Sequence, residues 1–430
     1  MNFQQGLSGL NATSRNLEVI GNNVANANTY GAKSSRAEFA DMYANMVGGA
    51  GSSASGIGVR VATTSQLFTQ GGISTTENPL DIAVNGAGFF QVQDPSGNQL
   101  YSRNGQFKVD RDGFVVNNQS QKLQGYAADA SGTIIPTIVQ PIQLPTAGIA
   151  PKATDEITMG LNLDSRGKIT TPATAPSINF DDPATYNNAT SMSVYDSTGQ
   201  DVALTFYFQK SAVNATTGDV TWDVYATANG STVGGTAAAP TPVTQMVFPP
   251  NGAAPTSPAA PVTLNIPATS TTVGGVTTQI SQPINGISFD PLKSTQFSTG
   301  FGVTNLDQTG YAPGQLSGVQ VEGDGVVRAR YSNGKTMAVA QVELANFRNP
   351  QGLQPVGGNA WAATYTSGSA LKGTPTSGNF GALQAGALEE SNVDLTAELV
   401  NMITAQRQYQ ANAQTIKTQD GVLQTLVNLK

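Results

Sequence analysis

Acidic residues are the first candidates for catalysis or metal binding in this sequence. Glu389 and Glu390 could act as the acid and base of a glycosidase only if both faced one substrate. Neighbouring helical residues do not face one another, so the pair is a poor candidate. Asp110-Arg111-Asp112-Gly113 begins like a calcium loop, but its glycine comes too early and the closing glutamate is missing. A hairpin turn is favoured there.

Other reactive groups are missing or misplaced. The stretches Gly48-Gly49-Ala50-Gly51 and Gly56-Ile57-Gly58 lack the Lys-Ser/Thr of a phosphate loop and indicate a flexible connector. The chain has no cysteine and no histidine, which excludes cysteine nucleophiles, disulfides, histidine bases and the usual zinc ligands. We expect no catalytic residues, no cofactor-binding residues, no metal site and no cofactor. Trp222 and Trp361 are expected in a core or a subunit contact.

Composition points to a packed but weakly charged protein. The 430 residues allow two to four modules. Charged residues make up 11% of the chain, against an ordinary value of about 25%, which suits side-by-side packing of identical subunits. The net charge of −7 gives no basic footprint, so nucleic acid is not an expected partner. No transmembrane run and no cleaved secretory signal are predicted, so the chain is cytosolic or exported without such a signal.

Heptad spacing marks both ends of the chain. The N-terminal seam is Phe3, Leu7, Leu10, Ser14, Leu17, Gly21 and Val24; the C-terminal seam is Leu395, Leu399, Met402, Gln406, Tyr409, Ala413, Ile416, Asp420, Leu423 and Val427. Capping residues before the second seam predict a helix that starts near residue 394. Both seams are interrupted by polar residues and glycine. The two helices are expected to pair as a coiled-coil-like rod, with packing on the body of their own subunit as the alternative.

Between the helices, alternating residues and Gly-containing turns predict strands. One β domain is expected from two separated halves, 73–147 and 299–372. A second, outer β domain, 148–298, is inserted between them, with an antiparallel meander of strands at 192–195, 202–208 and 220–225. A Pro-rich stretch, 236–261, is expected to be loop or edge structure. The remaining segments are an N-terminal helix at 1–30, connectors at 31–72 and 373–392, and a C-terminal helix at 393–430.

Four motifs carry a family resemblance. The segment from Asn16 to Lys33, NLEVIGNNVANANTYGAK, resembles the signature of flagellar rod and hook proteins. Gly386 to Leu395 and Ala405 to Gln414 resemble the other end of the same family. Tyr101 to Phe107, YSRNGQF, and the long inserted middle favour the hook over the shorter rod proteins. The resemblance covers about 1–126 and 300–430.

The resemblance implies a structural subunit of the bacterial flagellar hook, not an enzyme. Such a subunit is secreted through the flagellar type III apparatus without a cleaved signal. It polymerises with itself into a curved, flexible tube that acts as a universal joint between rod and filament. Implied partners are other copies of the chain, rod and hook–filament junction proteins, the hook cap and the export apparatus, without membrane insertion. Alternatives are a distal rod protein, a β-rich surface adhesin and a cell-wall hydrolase.

The resemblance also places the terminal helices in the inner tube and the inserted domain outermost. The apolar seam positions then become the expected polymer interface. These residues are Phe3, Leu7, Leu10, Leu17, Val24, Leu395, Leu399, Met402, Tyr409, Ile416, Leu423 and Val427.

Overall fold

In the described part of the chain, one α-helix lies near each end and strands are the main regular structure between them. The computed structural model describes residues 2–43, 56–172, 176–273 and 276–428. Helix α1 spans Asn2–Ala25 and helix α2 spans Leu395–Asn428. The predicted fold class, mainly β with helical termini, is confirmed. The predicted connector at Gly48-Gly49-Ala50-Gly51 lies outside the described residues.

The residues form two compact units. The first comprises Met1–Thr146, Ser317–Arg330 and Thr336–Lys430; the second comprises Ala147–Leu316 and Tyr331–Lys335. The second unit therefore interrupts the first in sequence. Each unit has its own hydrophobic core, as a nested pair of domains requires.

The first unit begins with ten strands that follow α1. Their bounds are β1 Ser35–Tyr43, β2 Gly56–Gln66, β3 Ile73–Thr75, β4 Ile82–Asn85, β5 Phe89–Gln93, β6 Gln99–Ser102, β7 Lys108–Val109, β8 Val115–Val116, β9 Lys122–Ala128 and β10 Ile134–Pro141. Asp110 closes the turn between β7 and β8, because its Oδ1 accepts from the N–H groups of Asp112 at 2.9 Å and Phe114 at 2.8 Å. The sequence predicted this turn from Asp112-Gly113.

The second unit holds the next thirteen strands. Their bounds are β11 Glu156–Asn162, β12 Asn188–Tyr195, β13 Asp201–Val213, β14 Val220–Ala228, β15 Ser231–Val233, β16 Gly235–Thr236, β17 Ala239–Pro240, β18 Thr244–Phe248, β19 Val262–Ile266, β20 Ser270–Val273, β21 Val276–Gln279, β22 Ile284–Asp290 and β23 Gly302–Gln308. A short 3₁₀ turn at Pro183–Thr185 precedes β12.

Two sheets of the second unit enclose one core. One sheet has the order β12-β13-β14-β15 with β18 also paired to β14, and the other has the order β19-β22-β11-β23. Phe206 from the first sheet stacks on Phe289 from the second, with ring centroids 5.0 Å apart. Each buried ring contributes about 1.5–3 kcal/mol. The predicted meander is confirmed by the antiparallel pairs β12–β13 and β13–β14, and β18 in the Pro-rich stretch is an edge strand.

The first unit resumes with its last nine strands. Their bounds are β24 Leu316–Val321, β25 Val326–Tyr331, β26 Thr336–Val342, β27 Leu344–Asn346, β28 Gln354–Gly357, β29 Ala360–Ala362, β30 Leu371–Gly373, β31 Ala382–Ala385 and β32 Ala387–Glu389. A 3₁₀ turn at Pro350–Gly352 lies before β28. The main sheet runs β24-β25-β26-β9-β5-β6-β29-β28, so three strands from the first half of the unit lie between strands from its second half.

The predicted boundary at 298/299 requires correction. Strand β23 lies beyond that boundary, yet it pairs antiparallel with β11, with Met159 opposite Leu306. Leu306 also packs against the core of the second unit. Residues 299–316 therefore belong to the second unit rather than to the second half of the first.

The two predicted connectors also contain paired strands. Within 31–72, β1 and β2 pair antiparallel along their length. Within 373–392, β31 pairs with β4 and β32 pairs with β3. The backbone groups of β31 and β32 are satisfied by strands that lie some three hundred residues earlier, and local patterns do not reveal such partners.

Candidate polymer interface on the terminal helices

Helices α1 and α2 pack against each other in antiparallel directions. Asn23, near the end of α1, donates from Nδ2 to Oε1 of Glu398 in the first turn of α2, at 3.1 Å. At the other end, a Cβ added to Gly6 would lie 3.1 Å from Cγ1 of Ile416. The two chain ends therefore form one helical hairpin within the subunit.

Small and polar residues form the face of α1 that is used inside the subunit. Gly6, Ala12, Thr13, Ile20 and Asn23 are buried. Their spacing keeps them on one side of a helix with 3.6 residues per turn. None of the leucines of the predicted seam on α1 is fully buried on this face: Leu10 and Leu17 are half-buried and Leu7 is exposed.

Helix α2 has little burial within the subunit. Among its described side chains, Ala405 is the only one that is fully buried. Six large apolar side chains are instead exposed: Leu395, Leu399, Val400, Ile403, Tyr409 and Val422. Packing of an apolar face supplies most helix stability in proteins, so α2 lacks most of the contacts that a stable 34-residue helix would use.

The predicted interface residues occupy three kinds of environment. Leu7, Leu395, Leu399 and Tyr409 are exposed, with 45% of Leu399 accessible. A second group is half-buried: Leu10, Leu17, Val24, Met402 and Ile416. The side chains of Phe3, Leu423 and Val427 lie outside the described part of the chain. The structure therefore does not gather the predicted seam into one contact, and four of its nine described side chains are exposed in the subunit.

The reason is the drift of a heptad on an α-helix. Positions spaced by seven residues rotate by about 20° per heptad when the helix has 3.6 residues per turn. Leu395 and Ile416 are three heptads apart, so they differ by about 60° around α2. Ile416 consequently lies beside Gly6 of α1, whereas Leu395 and Leu399 are exposed.

An open groove lies where α1, α2 and the β1–β2 pair meet. Its volume is 440 Å³, and its walls include Gly9, Asn16, Phe39, Val59 and Gln408. The Phe39 ring is exposed beside it. The lining of the groove is mixed, because polar Asn16 and Gln408 stand beside Phe39 and Val59.

A buried charge cluster fixes the base of the hairpin. Glu389, at the end of β32, accepts from Nζ of Lys33 at 2.5 Å and from Nη1 of Arg103 at 3.1 Å. The side chains of Lys33 and Glu389 are fully buried, and 5% of Arg103 is accessible. Lys33 also donates to the carbonyl of Thr69 at 2.8 Å. Residues 33, 103 and 389 are thus joined just outside the two helices.

Burial makes these two positive charges costly. It lowers the pKa of the Lys33 ammonium group, and the nearby Glu389 charge offsets part of that effect. Burial likewise lowers the pKa of the Arg103 guanidinium, again against the influence of Glu389. Arg103 lies over the Phe89 ring at 5.1 Å, which returns some attraction to the buried cation. Glu389 is therefore the group on which both cations depend.

The backbone beside the charge cluster is also closely packed. The N–H of Gly31 donates to the carbonyl of Glu389 at 2.8 Å. Gly31 has φ of +71°, and a Cβ there would lie 2.5 Å from the backbone nitrogen of Asn104. Only glycine fits this position without displacing the backbone.

The segment that leads into α2 is bonded along its length. Asn392 accepts from the N–H of Ser34 at 2.7 Å and donates to the carbonyl of Leu67 at 2.8 Å. Asp394 then caps α2, since its Oδ1 accepts from the N–H of Thr396 at 2.9 Å. The predicted helix start near 394 is confirmed.

Sequence analysis missed the charge cluster, although the residues lie in conspicuous motifs. Lys33, Arg103 and Glu389 belong to three of the four segments that carry the family resemblance. Glu389 was considered only as a poor acid–base partner of Glu390. The presence of a charged residue in each of these three motifs was the available signal, but the sequence did not show that these charges meet.

The described residues hold no group of three or more His, Cys, Asp or Glu side chains placed to bind a metal ion. Within those same residues, neither helix has the length and apolar character needed to cross a membrane.

Comparisons with known protein families match several parts of the chain. Four family descriptions match the chain: "Flagella basal body rod protein" at 3–33, "Flagellar hook protein FlgE/F/G D1 domain" at 83–197, "Flagellar basal body protein FlaE D2 domain" at 162–311, and "Flagellar basal body rod FlgEFG protein C-terminal" at 384–429. Together they cover both helices and both units.

Similar proteins extend along the whole chain. The chain is 44% identical to the flagellar hook protein FlgE of Salmonella typhimurium and 42% identical to that of Escherichia coli, each over 100% of both chains. It is 33% identical to the FlgE of Rhizobium meliloti over 100% of this chain and 98% of the relative. With this identity over its full length, the chain belongs to the flagellar hook protein family.

Proposed function

We propose that this structural hook subunit polymerises through its terminal helices into a curved, flexible tube that transmits torque from rod to filament. Membership of the family implies self-assembly within the flagellar basal body. The observation that carries the proposal is α2, a long helix with exposed Leu395, Leu399, Val400 and Ile403. Burying such a face against neighbouring subunits would supply the packing that the isolated subunit lacks.

The predicted interface residues fit this role in two ways. Leu7, Leu395, Leu399 and Tyr409 are free to contact other subunits. Ile416 instead packs within the hairpin and holds α2 against α1. We propose that the exposed group forms inter-subunit contacts and that the half-buried group stabilises the hairpin.

We further propose that the chain passes through the flagellar export apparatus without a cleaved signal, and that rod proteins, junction proteins and a hook cap are its other partners. The absence of cysteine supports export of an unfolded chain, because no disulfide can form beforehand. A structural role without catalysis is supported by Glu389, which is held by two cations rather than facing a cleft.

Replacing Leu399 with aspartate tests the proposed interface. The side chain is exposed in the subunit, so the subunit should stay folded. In the tube the new carboxylate would be buried without a partner, at a cost of several kcal/mol per contact. We expect polymerisation to be lost in pelleting assays and electron micrographs.

A matched control places the same charge elsewhere on α2. Asn401 is exposed and lies about 160° around the helix from both Leu399 and Ile403. Asn401→Asp should therefore polymerise, while circular dichroism should show equal helix content in both variants. Normal tubes from Leu399→Asp would remove Leu399 from the interface.

A further inference from the structure

The Lys33–Glu389–Arg103 cluster joins three segments that have separate roles. Lys33 follows α1, Arg103 follows β6, and Glu389 ends the strand that leads to α2. The N–H of Gly71 also donates to Oε1 of Glu389, at 3.1 Å. One carboxylate thus connects both chain ends to the β body of the first unit.

The composition of this cluster is a poor choice for stability alone. It buries two cations and one anion, and Nε of Arg103 has no hydrogen-bond partner. Buried ion pairs can often be replaced by apolar residues of similar volume without loss of stability. Charge-assisted hydrogen bonds hold donors and acceptor at fixed distances and angles, so they can fix the relative orientation of the three segments. Apolar contacts do not impose such an orientation.

A small change in the orientation of the chain near Glu389 has a large effect on the position of the far end of α2. Helix α2 has 34 residues and begins six positions after Glu389. At 1.5 Å per residue it extends about 51 Å, so a tilt of about 5° at its base moves its far end by about 4 Å. A displacement of that size would misplace the exposed apolar face relative to neighbouring subunits.

We propose that the buried Lys33–Glu389–Arg103 cluster is a positioning device that sets the angle of α2 on the first unit for assembly. This inference rests on the proposed inter-subunit role of α2. Lys33 and Arg103 act through Glu389, and Glu389 acts through the short segment that Asn392 fastens to Ser34 and Leu67.

An apolar replacement separates positioning from stability. The triple variant Lys33→Met, Arg103→Met, Glu389→Leu keeps similar volume and removes all three charges. Carrying Trp222→Phe leaves Trp361 as the sole tryptophan and reporter of the first unit, since the chain has 2 tryptophans. We expect the urea midpoint of this reporter to be no lower than that of the Trp222→Phe parent.

The angle of α2 can be measured directly by pulsed electron paramagnetic resonance. The chain has no cysteine, so Ser96→Cys and Gln414→Cys provide the only two labelling sites. Both residues are exposed, one in the turn between β5 and β6 and the other on α2. We expect a narrow distance distribution in the parent and a broadened or shifted one in the triple variant, together with at least a tenfold higher critical concentration for polymerisation.

Gln91→Leu serves as the matched control. Gln91 is buried in the same unit, and its side-chain amide has no hydrogen-bond partner. This variant also replaces a buried polar group with an apolar one, yet it should leave both the distance distribution and polymerisation unchanged.

Three results would overturn the proposal. One is an unaltered distance distribution in a folded triple variant. Another is a broad distribution in the parent, which would show that the cluster does not hold α2. The third is unfolding of the triple variant together with an unaltered distribution in Glu389→Gln, which keeps the size of the side chain and removes its charge. None of these results depends on polymerisation, so they are distinguishable from failure of the Leu399→Asp experiment.

Discussion

Replacing Glu389 with alanine is expected to lower the free energy of unfolding of the first unit by about 3–5 kcal/mol. The substitution leaves Lys33 and Arg103 buried without their shared anion. It also removes the acceptor used by the N–H of Gly71. Typical domains are stable by about 5–15 kcal/mol, so a substantial part of the stability would be lost.

The neighbouring glutamate gives a close control. Glu390 is exposed, and Glu390→Ala removes the same atoms one position away. Its effect should stay within about 0.5 kcal/mol. Urea unfolding followed by Trp361 fluorescence in a Trp222→Phe background measures both variants. Equal midpoints for Glu389→Ala and Glu390→Ala would show that the buried charges do not depend on Glu389.

The two tryptophans also allow a test of whether Glu389→Ala destabilises only the first unit. Trp361 lies in the aromatic cluster of the first unit, with Nε1 donating to Oε1 of Gln66 at 2.6 Å. Trp222 lies in the core of the second unit. In a Trp361→Phe background, Glu389→Ala should leave the Trp222 transition unchanged, because each unit has its own core.

Local patterns predicted the parts of the fold that depend on neighbouring residues. The Asp394 cap fixed the start of α2, and turn residues fixed the meander of β12, β13 and β14. These features are set within a few residues of sequence, where capping and turn preferences act. Their physical causes can be read directly from residue types.

The packing face of the helices could not be predicted in the same way. Heptad counting follows the large apolar residues, whereas the subunit packs α1 through Gly6, Ala12 and Thr13. Small residues allow close approach but give no strong apolar signal. We propose that the leucines left outside this face contact a neighbouring subunit, which a single chain does not include.

Long-range pairing explains the other differences. Lys33 and Glu389 are separated by 356 positions, and Arg103 and Glu389 by 286. Strand β23 likewise finds its partner β11 across most of the inserted segment. No local pattern encodes such contacts, so the charge cluster and the boundary near 316 became visible only in the fold.

Removing the second unit should leave a folded subunit that forms tubes of altered curvature. The chain enters and leaves this unit at adjacent points, because Ile149 and Gly314 exchange two backbone hydrogen bonds, at 2.8 and 3.2 Å. A short Gly/Ser link can therefore replace 149–314. We expect the Trp361 transition of this variant to match that of the full chain carrying Trp222→Phe.

A second deletion tests the boundary itself. Removing only 149–298 retains β23 without its partner β11, and it exposes Phe301 and Leu306, which pack against the core of the second unit. This variant should aggregate or give a lower yield, because an unpaired strand with exposed apolar residues promotes association. Equal yield and equal aggregation of the two deletion variants would show that the boundary of the second unit does not lie near residue 316.

The effect on curvature rests on a further proposal, that the second unit contacts neighbouring subunits in a bending tube. Weakly charged surfaces can change register more easily than surfaces locked by buried ion pairs, and only 11% of the chain is charged. Without the unit, the terminal helices should still polymerise through the exposed face of α2, so electron micrographs should show tubes with a different curvature. Unchanged curvature would assign tube shape to the first unit, and a folded variant that forms no tubes would make the second unit essential for assembly.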